Sequence, residues 1–291
     1  MILGSGPITV NAGQLTLQRV GGNGVSMTNS LILNGGTLSG DNGSGDVWSG
    51  PVTLLSTSII NTNTTGQITI VGNISGAGGL IKNGNNATSF LNLAGTNNYT
   101  GTTTLTAGII RLSATEFVGT SGPLGTPTTP AGSIILNGGT LQYSAFTGAT
   151  PVVNVFDYSS RFSTAASQKY NADTNSISQG VVWGANLTSS GGTLTKSGLG
   201  TLYLTGANTY DGVTTIANGA LGVKSLNNIA SPVASSSLGR PTSAANGTIA
   251  MAVVAIRASS FTREQVKPPT ASSTSPAAPA ARSSSRRAPD S

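Results

Sequence analysis

Apolar and polar residues alternate along most of this chain, in short runs that meet at a small residue and a glycine. The unit of apolar-x-apolar, glycine, apolar-x-apolar occurs five times, first as Ile8-Thr9-Val10, Gly13 and Leu15-Thr16-Leu17. Period 2 places alternate side chains on one face of a strand, so Ile110 and Leu112 should face inward and Arg111 outward. Because no window has helical periodicity, the pattern predicts an all-β protein.

A longer repeat is superimposed on this pattern. Residues 95–105, GTNNYTGTTTL, return as residues 206–216, GANTYDGVTTI, and each copy is preceded by a similar segment, at residues 79–82 and 193–196. The second copy should contribute its core through five aliphatic residues. They are Leu202, Leu204, Ile216, Leu221 and Val223.

Two architectures use such strands. Asn-Gly between alternating runs is a strong hairpin signal and would build an antiparallel β-sandwich. Internal repeats instead favour a parallel β-solenoid, whose stacked coils would align equivalent residues about 4.8 Å apart. We favour the solenoid, with roughly ten coils over about 50 Å, because stacked Thr and Asn outside it would explain why only 8% of the residues are charged.

Composition removes many kinds of chemistry. The chain has no Cys and no His, which excludes disulfides, thiolate sites and Ser-His-Asp or Cys-His catalysis. The net charge of +6 is mainly a property of residues 251–291, which contain six Lys/Arg and two Asp/Glu. We therefore predict a repeat domain over 1–250 and a disordered Pro/Ser/Ala/Arg-rich tail over 251–291, with no specific nucleic-acid binding and no cofactor.

Few residues are candidates for a site. Asp41, Asn42 and Asp46 could offer oxygens to Ca²⁺ in a Gly-rich loop, although an Asx turn explains them as well. An enzyme on this scaffold would need clustered carboxylates, and the densest charges are Asp157 with Arg161 and Asp173 near Lys169. Residues 21–24, GGNG, lack the Lys-Ser/Thr of a phosphate loop. Tyr99 and Tyr210, at equivalent repeat positions, should pack or stack as a pair rather than bind sugar.

The repeats resemble a known family. The stretches GGLIKNGNNATSFLNLAGTNNYTGTTTLTAGIIRL and GGTLTKSGLGTLYLTGANTYDGVTTIANGALGV are similar to the autotransporter-associated β-strand repeat of bacterial surface and secreted proteins. The resemblance implies a right-handed parallel β-helix passenger at the outer-membrane surface or outside the cell, with a structural or adhesive role and no catalytic activity. It also implies partners among surface glycans or proteins, and a translocator or anchor outside this chain.

The alternative function is a carbohydrate-active enzyme or carbohydrate-binding module on the same scaffold. The start Met1-Ile2-Leu3-Gly4 runs directly into strand-like sequence without a signal-peptide pattern, so we expect a fragment of a longer passenger. Every glycine lies before Met251, and this abrupt change suggests that the tail is read out of frame.

Overall fold

The computed structural model describes the repeat-bearing part of the chain. The chain divides into two units, Met1–Val254 and Ala255–Ser291, and every described residue belongs to the first. The described residues are 4–18, 24–41, 45–63, 65–84, 88–143, 154–226 and 235–252. The predicted tail over 251–291 therefore lies almost wholly outside the described residues, and its disorder and reading frame stay predictions.

The described residues form short strands and two single helical turns, a 3-10 turn at Ser159–Arg161 and α1 at Ala244–Gly247. Strands of two to five residues are expected here because a glycine or a polar corner interrupts each run. The strands are β1 Ile8–Asn11, β2 Gln14–Leu17, β3 Ser26–Met27, β4 Leu31–Asn34, β5 Thr37–Gly40, β6 Asp46–Trp48, β7 Val52–Leu54, β8 Ser58–Thr62, β9 Gln67–Ile70, β10 Ile74–Ser75, β11 Leu80–Asn83, β12 Phe90–Leu93, β13 Thr103–Leu105, β14 Ile109–Leu112, β15 Ile134–Leu136, β16 Thr140–Tyr143, β17 Lys169–Asp173, β18 Val181–Trp183, β19 Thr193–Ser197, β20 Thr201–Leu204, β21 Thr214–Ile216, β22 Ala220–Val223 and β23 Ala250–Met251.

These strands stack in parallel as a β-solenoid of about nine coils. Every pairing between the described strands is parallel, and each joins a strand to its counterpart one coil away. The orders are β1-β4-β7-β10, β2-β5-β8-β11-β13-β15, β3-β6-β9-β12-β14-β16-β17-β19-β21-β23 and β18-β20-β22. The solenoid prediction is confirmed and the antiparallel sandwich is excluded.

The core lies inside the coils and is built from residues in register. One inner ladder runs through Leu38, Ile60, Lys82, Leu105 and Leu136, all inaccessible to solvent. Such stacking is what parallel pairing imposes, because every second side chain of each strand points inward. The exception is the lysine, whose aliphatic stem replaces a branched side chain in the middle of the ladder.

The predicted core residues are confirmed only in part. Ile110 and Leu112 are buried while Arg111 is half-buried, as the alternation predicted. In the second copy Leu202 and Leu204 are buried, but Val223 is 37% exposed and its assignment to the core was wrong. Its strand, β22, is the last of the three-stranded sheet and pairs among the described strands only with β20. Leu221 on the same strand and Ile216 on β21 are half-buried.

The two copies of the long repeat lie in different sheets. In the first copy, β11 and β12 belong to the six-stranded and ten-stranded sheets, whereas their equivalents β19 and β20 belong to the ten-stranded and three-stranded sheets. The change occurs where β16 meets β17, which pair through two residues only, Leu141 with Ala172 and Gln142 with Asp173. Within the described residues, no helix is long and apolar enough to cross a membrane.

Candidate functional site

The strongest candidates for function are the polar residues of the long repeat, and the asparagine of each copy joins three coils. Asn97 is fully buried; its Oδ1 accepts the backbone N–H of Ile74 at 2.8 Å, and its Nδ2 donates to the carbonyl of Pro123 at 2.9 Å. Asn208 makes the same two bonds in the second copy, at 2.8 and 2.7 Å. Each amide therefore satisfies one backbone group of the preceding coil and one of the following coil.

The repeat tyrosines are also internal. Tyr99 and Tyr210 are fully buried, and their hydroxyls bond Thr103 and Thr214 at 2.6 and 2.7 Å. Burial is the main reason why the pKa of each phenol is raised to about 12, so both stay neutral over the physiological range. The predicted packing role is confirmed, but the two rings do not form a pair, since Tyr210 lies edge-on to Tyr170 at 6.1 Å.

A further repeated segment, whose recurrence the alternation of apolar residues does not reveal, closes onto each tyrosine. Residues 121–127, SGPLGTP, and 235–241, SSSLGRP, carry Gly125 and Gly239 with φ of +64° and +80°. The amide after each glycine donates to the carbonyl of the repeat tyrosine, at 2.9 and 2.8 Å. A Cβ on either glycine would meet that carbonyl at 2.4 or 2.2 Å, so only glycine fits. The Leu-Gly-x-Pro sequence that the two segments share is the signal from which their recurrence could have been recognised.

The lysine of each copy ends at a corner of the coil. Lys82 and Lys196 are fully inaccessible to solvent, and their ammonium nitrogens reach backbone carbonyls of their own coil and of the next. Burial lowers the pKa of Lys82 to about 7 and that of Lys196 to about 8. For Lys196 the carboxylate of Asp173 acts in the opposite direction and favours the charged form. In the sequence, these lysines are distinguished only by their equivalent places in the two copies of the repeat.

A charged cluster is enclosed between the coils near the 3-10 turn. Glu116 forms an ion pair with Arg161 at 3.6 Å, and it accepts a hydrogen bond from the hydroxyl of Tyr158 at 2.9 Å. Asn154 completes the group by donating to the Tyr158 hydroxyl at 3.1 Å. Burial raises the pKa of the Glu116 carboxyl, against the opposing effects of the Tyr158 hydrogen bond and of Arg161. Burial likewise raises the pKa of Tyr158.

Asp157 and Arg161, which the sequence places in its densest charged region, have different partners. Asp157 accepts bonds from the amide and hydroxyl of Ser159 at 2.8 and 2.6 Å. Its other oxygen accepts the amide of Gly184 at 2.7 Å. Arg161 pairs with Glu116, and Asp157 holds the turn of the chain.

A second charged group forms a row on the outside of the ten-stranded sheet. Arg111 lies over the ring of Phe90 at 3.8 Å and donates to Gln142 at 2.5 Å, and Gln142 donates to Asp173 at 2.7 Å. Arg111, Gln142 and Asp173 stand in register on successive coils. Lys169 shares a strand with Asp173 but lies four residues away, about 13 Å along an extended chain. Among the described residues the only ion pair is Glu116 with Arg161, so Lys169 and Asp173 do not form one.

The calcium candidates are only partly described. Asp46 is buried and its Oδ1 accepts the backbone N–H of Val25 at 2.8 Å, so this carboxylate joins adjacent coils. Asp41 is half-buried, and Asn42 lies outside the described residues, as do three of the four residues of the 21–24 segment. Across the described ranges, no group of three or more acidic side chains could hold a metal ion. A calcium site at Asp41, Asn42 and Asp46 stays untested.

Comparison with known proteins accounts for the repeat. A family described as the passenger-associated-transport repeat matches residues 80–112 and 194–223. The chain is also 30% identical over 224 residues to the adhesin BmaC autotransporter of Brucella suis biovar 1 (strain 1330). That alignment covers 75% of this chain but 6% of the adhesin. No solved structure matches the chain. The two long repeats thus match the passenger-associated-transport repeat, and the resemblance inferred from the sequence is confirmed.

Proposed function

We propose that this chain is a structural or adhesive segment of a surface passenger, located outside the cell or at the outer-membrane surface, and that it is not an enzyme. The premise is its passenger-type repeats on a parallel solenoid. Because the chain spans about 6% of the adhesin it matches, the activity and partners of that whole protein cannot be transferred directly. They enter here as part of the proposal.

The observation that carries the proposal is the direction of the repeat's polar side chains. Asn97 and Tyr99, with Lys82, are buried in the first copy and bond to neighbouring coils or to their own corner. The second copy uses Asn208 and Lys196 in the same way. Buried polar side chains that are engaged within the solenoid stabilise coil stacking rather than contact a ligand.

The ionisable groups support a non-catalytic role. A glycosidase or lyase needs carboxylates that reach substrate from a common face. Glu116 is enclosed with Arg161, Asp157 holds backbone and Ser159, and Asp46 holds the amide of Val25. These carboxylates serve as internal hydrogen-bond acceptors, which is the role expected in a scaffold.

Partners of an adhesive solenoid would meet its outer faces. Those faces carry stacked Thr, Ser and Asn side chains, such as the ladder in which Asn34 donates to Asn11 and accepts from Ser56, both at 3.1 Å. Uncharged hydrogen-bonding rows suit neutral glycans or protein surfaces, and they lack the basic patch that nucleic acid requires. We infer surface glycans or proteins as partners, with a translocator or anchor elsewhere in the protein.

One experiment separates the alternatives. The purified full chain would be probed against arrays of glycans and immobilised surface proteins, and the same polysaccharides would be assayed for new reducing ends and unsaturated products. Binding without cleavage would support an adhesin, and silence on both arrays would support a structural spacer. Product formation that persists in a chain lacking surface carboxylates would indicate contamination, whereas loss of product in that variant would establish an enzyme and refute the proposal.

A further inference from the structure

The two repeat lysines occupy the same place in the fold but meet different hydrogen-bonding groups. The stem of Lys82 stacks between Ile60 and Leu105, and that of Lys196 between Ala172 and Ile216. In both, the nitrogen reaches the carbonyl of the following residue, at 2.5 and 2.7 Å. The environments differ in the third partner: for Lys82 it is a hydroxyl, which can bond to a neutral amine as well as to an ammonium, and for Lys196 it is a carbonyl.

Lys82 can be fully bonded as a neutral amine. Its Nζ lies 2.7 Å from the hydroxyl of Thr62, 2.5 Å from the carbonyl of Asn83 and 3.4 Å from the carbonyl of Ala107. A hydroxyl can donate as well as accept. The Thr62 hydroxyl can therefore donate to the lone pair of the amine, while the two N–H bonds of the amine serve the two carbonyls.

Lys196 needs all three protons of an ammonium. Its Nζ donates to the carbonyls of Ser197, Gly198 and Asn218 at 2.7, 2.8 and 3.1 Å. Carbonyls only accept, so a neutral amine would leave one of them without its donor. Thr174 stands where Thr62 stands in the first copy, but its hydroxyl donates to the Ser197 carbonyl at 3.4 Å instead of facing the lysine nitrogen.

The charged groups around Lys82 also differ from those around Lys196. The strands β8, β12 and β13 that pack around Lys82 carry no ionisable side chain, and Arg111 on β14 is turned outward over Phe90. Around Lys196, β17 carries Asp173 and Lys169, and β20 carries Tyr203. The Asp173 carboxylate stabilises a charge on Lys196. Lys82 has no such support.

We propose that Lys82 is a pH-sensitive joint between three consecutive coils: a neutral amine satisfies Thr62, Asn83 and Ala107, and uptake of one proton from solvent weakens the joint because the charge is buried. Lys196 is the matched joint, and its three carbonyl partners favour the ammonium to a higher pH. This inference concerns the stability of the first repeat and does not depend on whether the chain is adhesive. Burial lowers the pKa of Lys82 in the folded coil, so between pH 7 and 10.5 the locally unfolded state binds more protons than the folded state. The free energy of opening at this joint therefore increases as the pH rises through that window.

Nuclear magnetic resonance of the full chain tests the protonation states directly. The chain has five lysines, so labelling with ¹³Cε,¹⁵Nζ-lysine gives five signals, and Lys82→Met and Lys196→Met assign the two that matter by removing one each. We expect the Lys82 signal to titrate near pH 7 and the Lys196 signal to titrate at a pH about one unit higher. Titration of the two lysines at the same pH, or of Lys196 at the lower pH, would overturn the proposal.

Hydrogen exchange measures the consequence for the coils. The amide of Thr106 donates to the carbonyl of Lys82 at 2.9 Å, and the equivalent amide of Ala217 donates to that of Lys196 at 2.8 Å. After correction for intrinsic rates, the opening constant at Thr106 should rise about 50-fold from pH 9 to pH 7, against about 10-fold at Ala217. Below pH 7 the opening constant at Thr106 should level off. Equal changes at the two amides in the unsubstituted chain would refute the joint even if neither methionine variant folded.

Discussion

Replacing Arg161 with methionine is the sharpest test of the buried charged cluster. The guanidinium donates to Ser133 at 3.2 Å and to the carbonyls of Gly125 and Leu124 at 3.2 and 2.6 Å, and it pairs with Glu116 at 3.6 Å. Methionine would fill similar volume but leave the carboxylate unpaired, with only 5% of its side chain exposed. Removing one member of a buried pair costs about 3–5 kcal/mol, and we expect a loss in that range.

The cost should depend on pH with a definite sign. Burial raises the pKa of Glu116 and Arg161 lowers it, so the substitution lets that pKa rise further. A carboxyl whose folded-state pKa is raised stabilises the fold at low pH and loses that contribution as the pH rises through the folded value. Arg161→Met should therefore be more destabilising at pH 7 than at pH 4.5. Adding Glu116→Gln should recover part of the loss at pH 7.

Urea unfolding followed by tryptophan fluorescence measures the loss where it arises. Solenoids can unfold in parts, so a local probe is needed. The chain has two tryptophans, and Trp48→Phe leaves Trp183, which lies 4.8 Å from Phe162 beside the cluster. Arg111→Met is the matched control, because Arg111 is half-exposed and should cost about 1 kcal/mol. A loss below about 1 kcal/mol for Arg161→Met, or no recovery with Glu116→Gln, would refute the reasoning.

Three further substitutions test the repeat itself. Asn97→Asp keeps the acceptor but removes the donor to the next coil, and urea unfolding should show that the free energy of unfolding falls by about 2–3 kcal/mol. The exposed control, Asn98→Asp, should change the stability little. Equal effects of the two substitutions would argue against the Asn97 bridge between coils. Tyr210→Phe leaves the buried Thr214 hydroxyl without its partner and should lower the free energy of unfolding by about 1 kcal/mol. In the unsubstituted chain, absorbance at 295 nm should show the Tyr210 phenol neutral at pH 11. Full ionisation of the phenol at that pH would contradict its burial. Gly239→Ala combines a positive φ with a clash against the Tyr210 carbonyl, and thermal unfolding should show a loss of stability of about 2 kcal/mol or more. Gly119→Ala, which has a positive φ in open space, should cost about 1 kcal/mol. A larger loss for Gly119→Ala than for Gly239→Ala would disprove the close approach.

Much of the repeat was predictable because its period is local. Alternation placed Ile110 and Leu112 inside and Arg111 outside, as observed. Recurrence of the same pattern pointed to stacked coils rather than hairpins. The prediction failed at Val223, since alternation identifies an inward face but does not say whether the neighbouring strands cover it. It also missed the closing loops, because Leu-Gly-x-Pro is short and contains no alternation.

The sequence by itself determined that the chain forms short strands with an aliphatic inner face, because side-chain direction in a strand and the conformational needs of glycine are local properties, and its repeats favoured stacked coils. The tertiary structure alone decided the polar partners. Successive coils differ in length, as the pairs Leu80 with Thr103 and Thr103 with Ile134 show, and this sets which distant groups meet. Thus Glu116 reaches Arg161 while Asp157 does not, and one repeat lysine meets a hydroxyl where its equivalent meets only carbonyls.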